Sequence, residues 1–342
     1  MNNKKKIVFV VNPKSGTSAK KNIAKIIDKY IDNTIYDYQV VFTERQGHAT
    51  EIAREAANSG IDVVCAVGGD GTVNEVASAI VHSPTALAIL PLGSGNGLAR
   101  HLRIPMDLPR ALRLINKQNV VPIDYGLINF HPFFCTCGVG LDAFISMKFA
   151  QAGKRGFLTY IEEVLKYALS YNPEFYELDV ENEQSSHVSY KAALIACANA
   201  SQYGNNVYIA PGASVMDGLM DVIIVEPYNI IDTPQMGMQI MNGTFHKNSH
   251  VKRFKCKSIN IKRKEKGPIH FDGDPMATGE NIDVSIVKNG LNVLCSGKEG
   301  IRKIGDSLQE TISLYYSNLF MKSGLFMNDN SSREKKLLGN ND

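Results

Sequence analysis

The chain contains no tryptophan, few cysteines and no strong excess of either charge. Its 342 residues include six Cys, and the formal net charge is +3 at pH 7. A composition of 44% hydrophobic and 21% charged residues is that of an ordinary globular protein and excludes a largely disordered chain. The mild net charge gives no indication of a nucleic-acid partner, and none is expected. At this length two domains are expected.

The cysteines form no disulfide or metal framework, and no segment resembles a membrane span. No pair has the C-x-x-C spacing of a zinc or redox site, and Cys65 and Cys197 lie inside apolar runs. No apolar stretch approaches the roughly 18 residues that a membrane span requires. The basic residues Lys4–Lys6 precede an apolar run that is too short for a signal peptide. We therefore expect a reduced, soluble protein in the cytoplasm.

The first third of the chain alternates strand-like and helix-like segments. The predicted strands are Ile7–Val11, Tyr38–Phe42, Asp62–Val67 and Ala86–Leu90. The predicted helices cover Ile23–Ile31, His48–Asn58, Val73–Val81 and a segment that starts near Gly97. Strands that are apolar throughout and alternate with helices indicate a parallel sheet covered on both faces. We therefore predict an α/β nucleotide-binding domain over residues 1–124, with ligands at the carboxyl ends of its strands.

The pattern changes after about Pro122. Short strands separated by turn residues follow, at Glu177–Val180, Ser189–Cys197, Leu219–Val225, Ser258–Lys262 and Asn281–Val287. They predict a largely antiparallel, β-rich domain that binds the substrate over residues 125–298. Apolar residues at helical spacing then predict a C-terminal helix over residues 299–330, docked on the protein or, as the alternative, anchored at a membrane interface. Residues 331–342 are expected to form a disordered tail.

Three glycine-rich loops follow strand ends of the predicted parallel sheet. They are Asn12–Gly16, Gly68–Thr72 and Gly93–Gly97. Glycine lets the backbone approach a phosphate closely, and the following helix offers unpaired N–H groups and a positive dipole end. A single loop of this kind is weak support, but three at one sheet edge predict a polyphosphate site. The P-loop motif G-x-x-x-x-G-K-[ST] is absent, and the match to G-x-G-x-x-A at Gly138–Ala143 lies past the sheet.

The order of these motifs resembles that of the diacylglycerol kinase catalytic family, which includes bacterial lipid kinases and the sphingosine and ceramide kinases. The resemblance covers about residues 5–296 and rests on the following segments: NPKSG at 12–16, Thr43 with His48-Ala49, GGDGTVNE at 68–75, LPLGSGN at 90–96, G-x-G-x-D at 138–142, Asn199, Tyr203-Gly204, Ala210-Pro211, DGLMD at 217–221 and FDGD at 271–274.

The resemblance implies a lipid kinase that uses ATP and Mg²⁺ and has the two-domain architecture of lipid and NAD kinases. It implies that the nucleotide contacts Asn12, Pro13, Lys14, Ser15, Gly16, Thr43, Gly68, Gly69, Asp70, Gly71, Thr72, Val73, Asn74, Gly93, Ser94, Gly95 and Asn96. Asp272 matches the family's proposed general base, and attack by an alcohol does require a positioned carboxylate. Asp70 is expected to act through Mg²⁺, because a bare carboxylate in a phosphate loop would repel ATP.

A second, structural Mg²⁺ is implied at Asp217 with the carbonyl groups of Ser214 and Leu219. Two departures from the family pattern bear on these assignments. The family usually reads FDGE where this chain has Asp274, and many members carry an acidic residue at the position of Met216. The first change shortens one carboxylate side chain, and the second removes a ligand from the structural metal position.

Several alternatives remain open on the sequence. An NAD kinase-like small-molecule kinase and a catalytically inactive lipid- or nucleotide-binding regulator are the rival functions. The GSGN loop favours a sphingoid lipid, whereas Gly138–Ala143 and the segment at 154–156 favour a bacterial-type substrate such as diacylglycerol. The basic segment Lys252–Lys266 is either a solvated strand face or a contact with anionic lipid at the inner face of a membrane. A homodimer is a further open alternative.

Overall fold

The computed structural model describes residues 4–15, 22–151, 167, 171–181 and 185–300. Four predictions fall wholly or mostly outside these residues: the contact of Gly16 with the nucleotide, the role of residues 154–156, the helix predicted over residues 299–330, and the tail predicted over residues 331–342. The described helices are α1 (Ile23–Tyr30), α2 (His48–Asn58), α3 (Asp70–Ile80), α4 (Gly97–His101), α5 (Leu108–Ile115), α6 (Leu141–Gln151) and α7 (Thr233–Asn242). None of them is long and apolar enough to cross a membrane.

The first part of the chain forms the predicted parallel sheet. Its strands are β1 (Lys5–Val11), β2 (Tyr36–Phe42), β3 (Val63–Gly68) and β4 (Ala86–Pro91), in the order β2-β1-β3-β4. Every residue of β3 and β4 is buried, as expected for strands covered on both faces. The α/β class of this part is therefore confirmed. The carboxyl ends of β1, β3 and β4 lie side by side and lead into the three glycine-rich loops.

The same sheet continues into the β-rich part of the chain. The long strand β16 (Asn281–Leu294) pairs in parallel with β4 and antiparallel with β5 (Val120–Ile128) and β13 (Ser258–Arg263). Beyond β13 lie β8 (Glu174–Glu181) and β9 (Ser186–Ala192), and the short β6 (His131–Phe133) pairs with β5. β16 therefore belongs both to the sheet that carries the glycine-rich loops and to the β-rich part.

A second, six-stranded sheet is antiparallel throughout. Its order is β12 (Val251–Cys256), β11 (Met220–Val225), β10 (Leu194–Ala198), β7 (Thr136–Gly140), β14 (Gly267–Phe271) and β15 (Asp274–Thr278). The predicted single strand Ser189–Cys197 is wrong. The chain leaves one sheet after Ala192 and enters the other at Leu194. The prediction joined the two strands because the alternating, half-exposed strand β9 runs into the buried strand β10 without a turn residue between them.

The second sheet buries both of its faces. Along β10, Ile195 and Cys197 face the strands β8 and β13, whereas Ala196 and Ala198 face the opposite side together with Met236 of α7. This alternation is the period of two expected for a strand. Helix α6 packs on β7, β14 and β15. The face of the second sheet that carries α6 and α7 also carries the cavity described below.

Candidate active site

The loops that follow β3 and β4 touch each other through glycine. A Cβ atom added to Gly93 would lie 2.5 Å from the Cα of Gly69, so neither position accommodates a side chain without displacement. The loop after β1 joins them, since the side-chain amide of Asn12 donates a 3.1 Å hydrogen bond to Oγ1 of Thr72. The three predicted loops therefore meet at one sheet edge, as their shared position at strand ends requires.

The predicted nucleotide residues differ in their exposure. Pro13 and Lys14 are exposed, whereas Thr43, whose N–H donates to the carbonyl of Val11, is buried.

Helix α3 begins at Asp70 and not near Val73, because the N–H of Val73 donates to the carbonyl of Gly69. The loop residues 70–72 thus form the first helical turn and present their N–H groups at the sheet edge.

The Asp70 carboxylate caps the loop after β4. Its Oδ2 accepts a 2.8 Å hydrogen bond from the N–H of Asn96, and its Oδ1 accepts a 2.6 Å bond from the N–H of Gly97. Burial raises the pKa of Asp70 despite these bonds, and the negative charge of Asp272 adds to the increase. Each oxygen keeps a further lone pair.

The carboxylates of Asp70 and Asp272 are close enough for a divalent cation to act on both of them. Their mutual repulsion would be relieved by Mg²⁺, and oxygen is the donor that Mg²⁺ prefers, so Asp70 fits the predicted metal role. Within the described part of the chain no three His, Cys, Asp or Glu side chains cluster into a complete protein-only site. The remaining ligands would therefore be phosphate oxygens and water, which is the usual coordination of Mg²⁺ at nucleotide sites.

The Asp272 carboxylate accepts four hydrogen bonds. Oδ1 accepts from the N–H groups of Cys135 (2.8 Å) and Thr136 (3.1 Å). Oδ2 accepts from the N–H of Phe134 (2.8 Å) and from Nδ2 of Asn74 (2.9 Å). Burial raises the pKa of Asp272, and these four bonds oppose the increase. The bond to Asn74 joins helix α3 of the nucleotide domain to the predicted base in the β-rich domain.

The turn that carries Asp272 has an unusual backbone. Asp272 has a φ of 48° and Gly273 a φ of 90°, and aspartate is one of the few residues that tolerate this left-handed region. The N–H of Asp272 donates to the carbonyl of Thr136, which fixes the turn against β7. Burial raises the pKa of Asp274, and the negative charges of Asp272 and Glu75 add to the increase. The Asp in place of Glu at this position therefore puts a short carboxylate within electrostatic reach of the predicted base.

A large cavity opens beside the two carboxylates. Its volume is about 690 Å³, and Asp70, Ser94, Gly95 and Asp272 are among the residues that line it. Ser94 and Gly95, which the sequence assigned to the nucleotide, thus line the cavity as well. The rest of the wall comes from the outer face of the second sheet and from α6 and α7. It is mainly apolar and includes Ile145, Phe149, Leu194, Ile209, Val225 and Met236.

A buried polar cluster interrupts the apolar wall, and sequence reasoning did not find its histidine. Nε2 of His270 lies 2.9 Å from Oδ2 of Asp142, and the Tyr203 hydroxyl donates to the same oxygen over 3.1 Å. Because a carboxylate only accepts, we assign the hydrogen of this contact to Nε2. Nδ1 of His270 has no hydrogen-bond partner among the residues described. The available signal was that His270, near the end of β14, precedes the predicted base Asp272 in the following turn by only two residues.

The residues assigned to a structural Mg²⁺ have protein partners. Nζ of Lys255 lies 2.5 Å from Oδ2 of Asp217 and 3.5 Å from a carboxylate oxygen of Asp221. Ser214 donates its hydroxyl to Glu299, and the N–H of Leu219 donates to Asp217.

The Lys255 ammonium thus holds the place where the resemblance implies a metal ion. Burial lowers the pKa of Lys255, but the Asp217 and Asp221 carboxylates outweigh this effect and raise it above its usual value. The Lys255 ammonium contacts Asp217, and Met216 stands where many family members have an acidic residue. The group formed by Ser214, Asp217 and Leu219 therefore does not fit a second Mg²⁺. The metal assignment at Ser214, Asp217 and Leu219 stays a prediction, and this ion pair argues against it.

The basic segment Lys252–Lys266 does not form one surface. Arg253 and Lys255 on β12 pair with acidic groups of the second sheet, whereas Lys262 on β13 lies 3.8 Å from Glu177 in the first sheet. Arg263 is buried and donates to carbonyl groups, including those of Gly267 and Pro268. Much of the positive charge of this segment is therefore paired with carboxylates or hydrogen-bonded to backbone carbonyl groups.

Comparison with known proteins agrees with this architecture. Residues 6–128 match the family model described as "Diacylglycerol kinase catalytic domain", and residues 136–295 match "YegS C-terminal NAD kinase beta sandwich-like domain". The fold and the three glycine-rich loops define a two-domain kinase of the lipid and NAD kinase type. Over residues 6–128 the chain is similar to the diacylglycerol kinase catalytic domain family. The domain boundary predicted at residue 124 stays a prediction.

Curated relatives and solved structures are similar over most of the chain. A "Diacylglycerol kinase" of Bacillus subtilis (strain 168) is 26% identical over 289 residues, which cover 82% of this chain and 94% of the relative. A "Probable lipid kinase YegS-like" of Yersinia enterocolitica is 28% identical over 264 residues, 73% of this chain and 84% of the relative. A crystal structure of a diacylglycerol kinase from Bacillus anthracis superimposes with a TM-score of 0.67 at 22% identity, covering 86% of this chain and 97% of that one. This last similarity concerns the fold.

Proposed function

We propose that the protein transfers the γ-phosphate of ATP to the hydroxyl group of a lipid, with Asp272 as the general base. The main support for the proposal is the cavity of about 690 Å³, whose wall is mostly apolar and also includes the carboxylates of Asp70 and Asp272. A lipid in this cavity would keep its chains among apolar side chains and bring its hydroxyl to the carboxylates. The glycine-rich loops would bring the triphosphate to the same carboxylates.

The glycine-rich loops would bind the triphosphate through their backbone N–H groups. Asp70 would hold Mg²⁺, which neutralises the developing charge on the phosphate oxygens when it is bound. The N–H groups of Asn96 and Gly97 keep the Asp70 carboxylate in one orientation. This arrangement supplies positioning and charge stabilisation, which are the main contributions of a protein to phosphoryl transfer.

Asp272 would take the proton of the lipid hydroxyl. The hydroxyl oxygen bonds to the γ-phosphorus while the bond from that phosphorus to the bridging oxygen breaks, and ADP leaves. All four acceptor positions of Asp272 are in use, and Asn74 is the one side-chain donor among them. We infer that the lipid hydroxyl replaces the Asn74 amide at Oδ2, because the three backbone donors are fixed by the strands. The raised pKa of Asp272 makes the carboxylate a better proton acceptor.

An NAD kinase-like activity is the second candidate. The description of the C-terminal family match names NAD kinase, which is the observation in its favour. Against it, the mainly apolar wall of the cavity offers few partners to the riboses and amide of a dinucleotide.

The first prediction is that labelled phosphate passes from ATP to a lipid in a Mg²⁺-dependent reaction. The measurement uses a panel of diacylglycerol, monoacylglycerol, sphingosine, ceramide and NAD at equal concentration. We expect label in one lipid class and none in NAD, because the cavity suits acyl chains. Label in NADP with none in any lipid would overturn the proposal.

A further inference from the structure

Helix α7 forms one wall of the cavity. Its residues in the wall are Thr233, Met236, Gly237, Ile240 and Met241. The last four follow Thr233 by three, four, seven and eight positions. This spacing describes a single face of an α-helix. Met236 on this face is buried, whereas Met241 is 52% exposed. The face therefore begins inside the cavity and ends at the protein surface.

The adjacent edge of α7 is apolar and exposed. Met238 is 68% exposed, and Pro234 and Met241 lie four residues before and three residues after it on the same side of the helix. Ile231, in the 3₁₀ turn Ile230–Asp232 that leads into α7, is 84% exposed. The helix sequence Thr233–Asn242 contains no charged residue. A helix on the surface of a soluble protein normally places charged residues on its outer face.

The exposed edge is continuous with the cavity wall. Met241 belongs to both, so apolar surface extends from Met236 inside the cavity to Met238 outside it. Single exposed apolar residues need no explanation, but a contiguous group beside an apolar cavity indicates an interaction surface. Methionine is flexible and polarisable, and it adapts to irregular apolar partners.

We propose that the outer edge of α7, defined by Ile231, Met238 and Met241, docks into the acyl region of a lipid bilayer. This inference rests on the proposed function, since a lipid substrate must leave a membrane without exposing its chains to water. The continuous surface through Met241 provides such a path. An uncharged helix with a half-buried apolar stripe suits the boundary between head groups and acyl chains. The surface differs from the basic segment Lys252–Lys266, in which Arg253, Lys255 and Lys262 have acidic partners.

The test uses the full chain and a double variant, Ile231→Ser with Met238→Gln, neither of which lines the cavity. A matched control removes equally exposed apolar side chains elsewhere: Phe130→Asn with Phe175→Gln, which are 94% and 67% exposed. Binding to neutral phosphatidylcholine vesicles is measured by co-sedimentation at low and high salt. We expect binding to fall by about tenfold or more in the double variant, at both salt concentrations, and to stay unchanged in the control.

An activity measurement separates this surface from the active site. With a short-chain lipid dispersed as monomers, the double variant is expected to turn over at the parental rate. With the same head group in long-chain bilayers, its rate should fall with its binding. Equal vesicle binding by variant and parent would overturn the proposal, as would loss of binding in the control alone. A parent that is a dimer, and a variant that is a monomer, would make this edge a contact between two copies of the chain.

The two proposals fail in different ways. A parent that binds neutral vesicles through α7 and yet phosphorylates no lipid would contradict the proposed function and leave the docking surface intact. A parent that phosphorylates lipid, while the double variant binds vesicles and turns over bilayer lipid normally, would contradict the docking surface alone.

Discussion

At the scale of single residues, Asp272 connects the two parts of the active site. Three backbone N–H groups of the segment 134–136 hold its carboxylate, and Asn74 of the nucleotide domain supplies the fourth hydrogen bond. An amide in place of this carboxylate would turn one NH₂ group toward these donors. A substitution therefore acts on the chemistry and on the turn at once, and the two effects must be measured separately.

The second prediction is that Asp272→Asn lowers kcat by about 10² to 10⁴, the usual contribution of a general base, with little effect on ATP affinity. Thermal melting on the same preparations measures the stability cost. Asp107→Asn is the control, because Asp107 accepts the N–H of Arg110 at the start of α5 and lies outside the cavity. An Asp272 variant that melts lower but keeps the parental rate would make Asp272 a structural residue.

The third prediction concerns pH. Burial raises the pKa of Asp272 above the 3.8 of a free aspartate, and the base must be ionised to accept a proton. Activity should therefore be complete above this raised pKa and fall as the pH drops through it. In a plot of kcat/KM against pH, the midpoint of this fall should lie above the ordinary pKa of aspartate. The residual activity of Asp272→Asn should lack this fall. If Asp272→Asn shows the same fall in kcat/KM at acid pH, the group that titrates is not Asp272.

The fourth prediction is that Asp70→Asn nearly abolishes turnover at saturating Mg²⁺, because the change removes the charge that would hold the metal. The amide retains one acceptor for the N–H groups of Asn96 and Gly97, where the carboxylate offers two. We expect a stability loss of about 1 kcal/mol, the usual value for a lost cap. Circular dichroism and melting check that the fold is retained. Parental activity would show that Asp70 does not act at the metal.

At the scale of structural elements, the residue at which α3 begins determines which of its side chains reach Asp272. Helix α3 starts at Asp70, so the motif residues 70–72 are helical and Asn74 lies one turn further, opposite Asp272. Glu75 accepts the N–H groups of Gly47 and Ala49 and thereby caps α2. The two neighbouring residues of the motif therefore have different roles. Asn74 contacts the predicted base, and Glu75 stabilises the start of α2.

The fifth prediction tests the ion pair that ties β12 to the loop before β11. Lys255→Met leaves Asp217 and Asp221 without their shared cation, and we expect unfolding to become easier by about 1 to 2 kcal/mol, since the pair is partly exposed. Lys252→Met is the control, because Lys252 on the same strand pairs at 3.5 Å with Glu226 and is half exposed.

A chelator distinguishes this ion pair from a metal site. If Lys255 holds the place of the structural metal, the melting temperature of the parent will not change when Mg²⁺ is removed by a chelator in the absence of nucleotide. Added Mg²⁺ should then stabilise Lys255→Met more than the parent, because Asp217 loses its cation in the variant while Asp221 keeps its ion pair with Arg253. A parent that melts lower after chelation would support the structural Mg²⁺ at Asp217.

At the scale of the whole molecule, the shared ten-stranded sheet fixes the two domains against each other. β16 pairs with β4 of the nucleotide domain and with β13 of the β-rich domain. The glycine-rich loops and the second sheet are thus held on the same side, where Asp70 and Asp272 come close enough for their charges to interact. The apolar cavity is lined by Asp70 and Asp272 and also by residues of α6 and α7, so the proposed docking edge adjoins the same cavity as the phosphate loops.

The sequence by itself determined the parallel sheet, the positions of its loops and the residue types at the phosphate site. These features leave local patterns, because buried strands are apolar throughout and close backbone approach requires glycine. It also predicted a β-rich second domain. It missed the change of sheet at Ala193, since no turn residue separates the alternating strand β9 from the buried strand β10.

Only the tertiary structure decided which distant side chains meet. Asn74 and Asp272 are 198 positions apart, and Asp142 and His270 are 128 apart. Lys255 likewise lies beside Asp217, although the resemblance suggested a metal there. Such contacts depend on how two sheets pack and on the register of their strands, and a single side chain leaves no periodic signal for either. The same reason explains why the cavity and the exposed edge of α7 emerged from the fold and not from the order of residues.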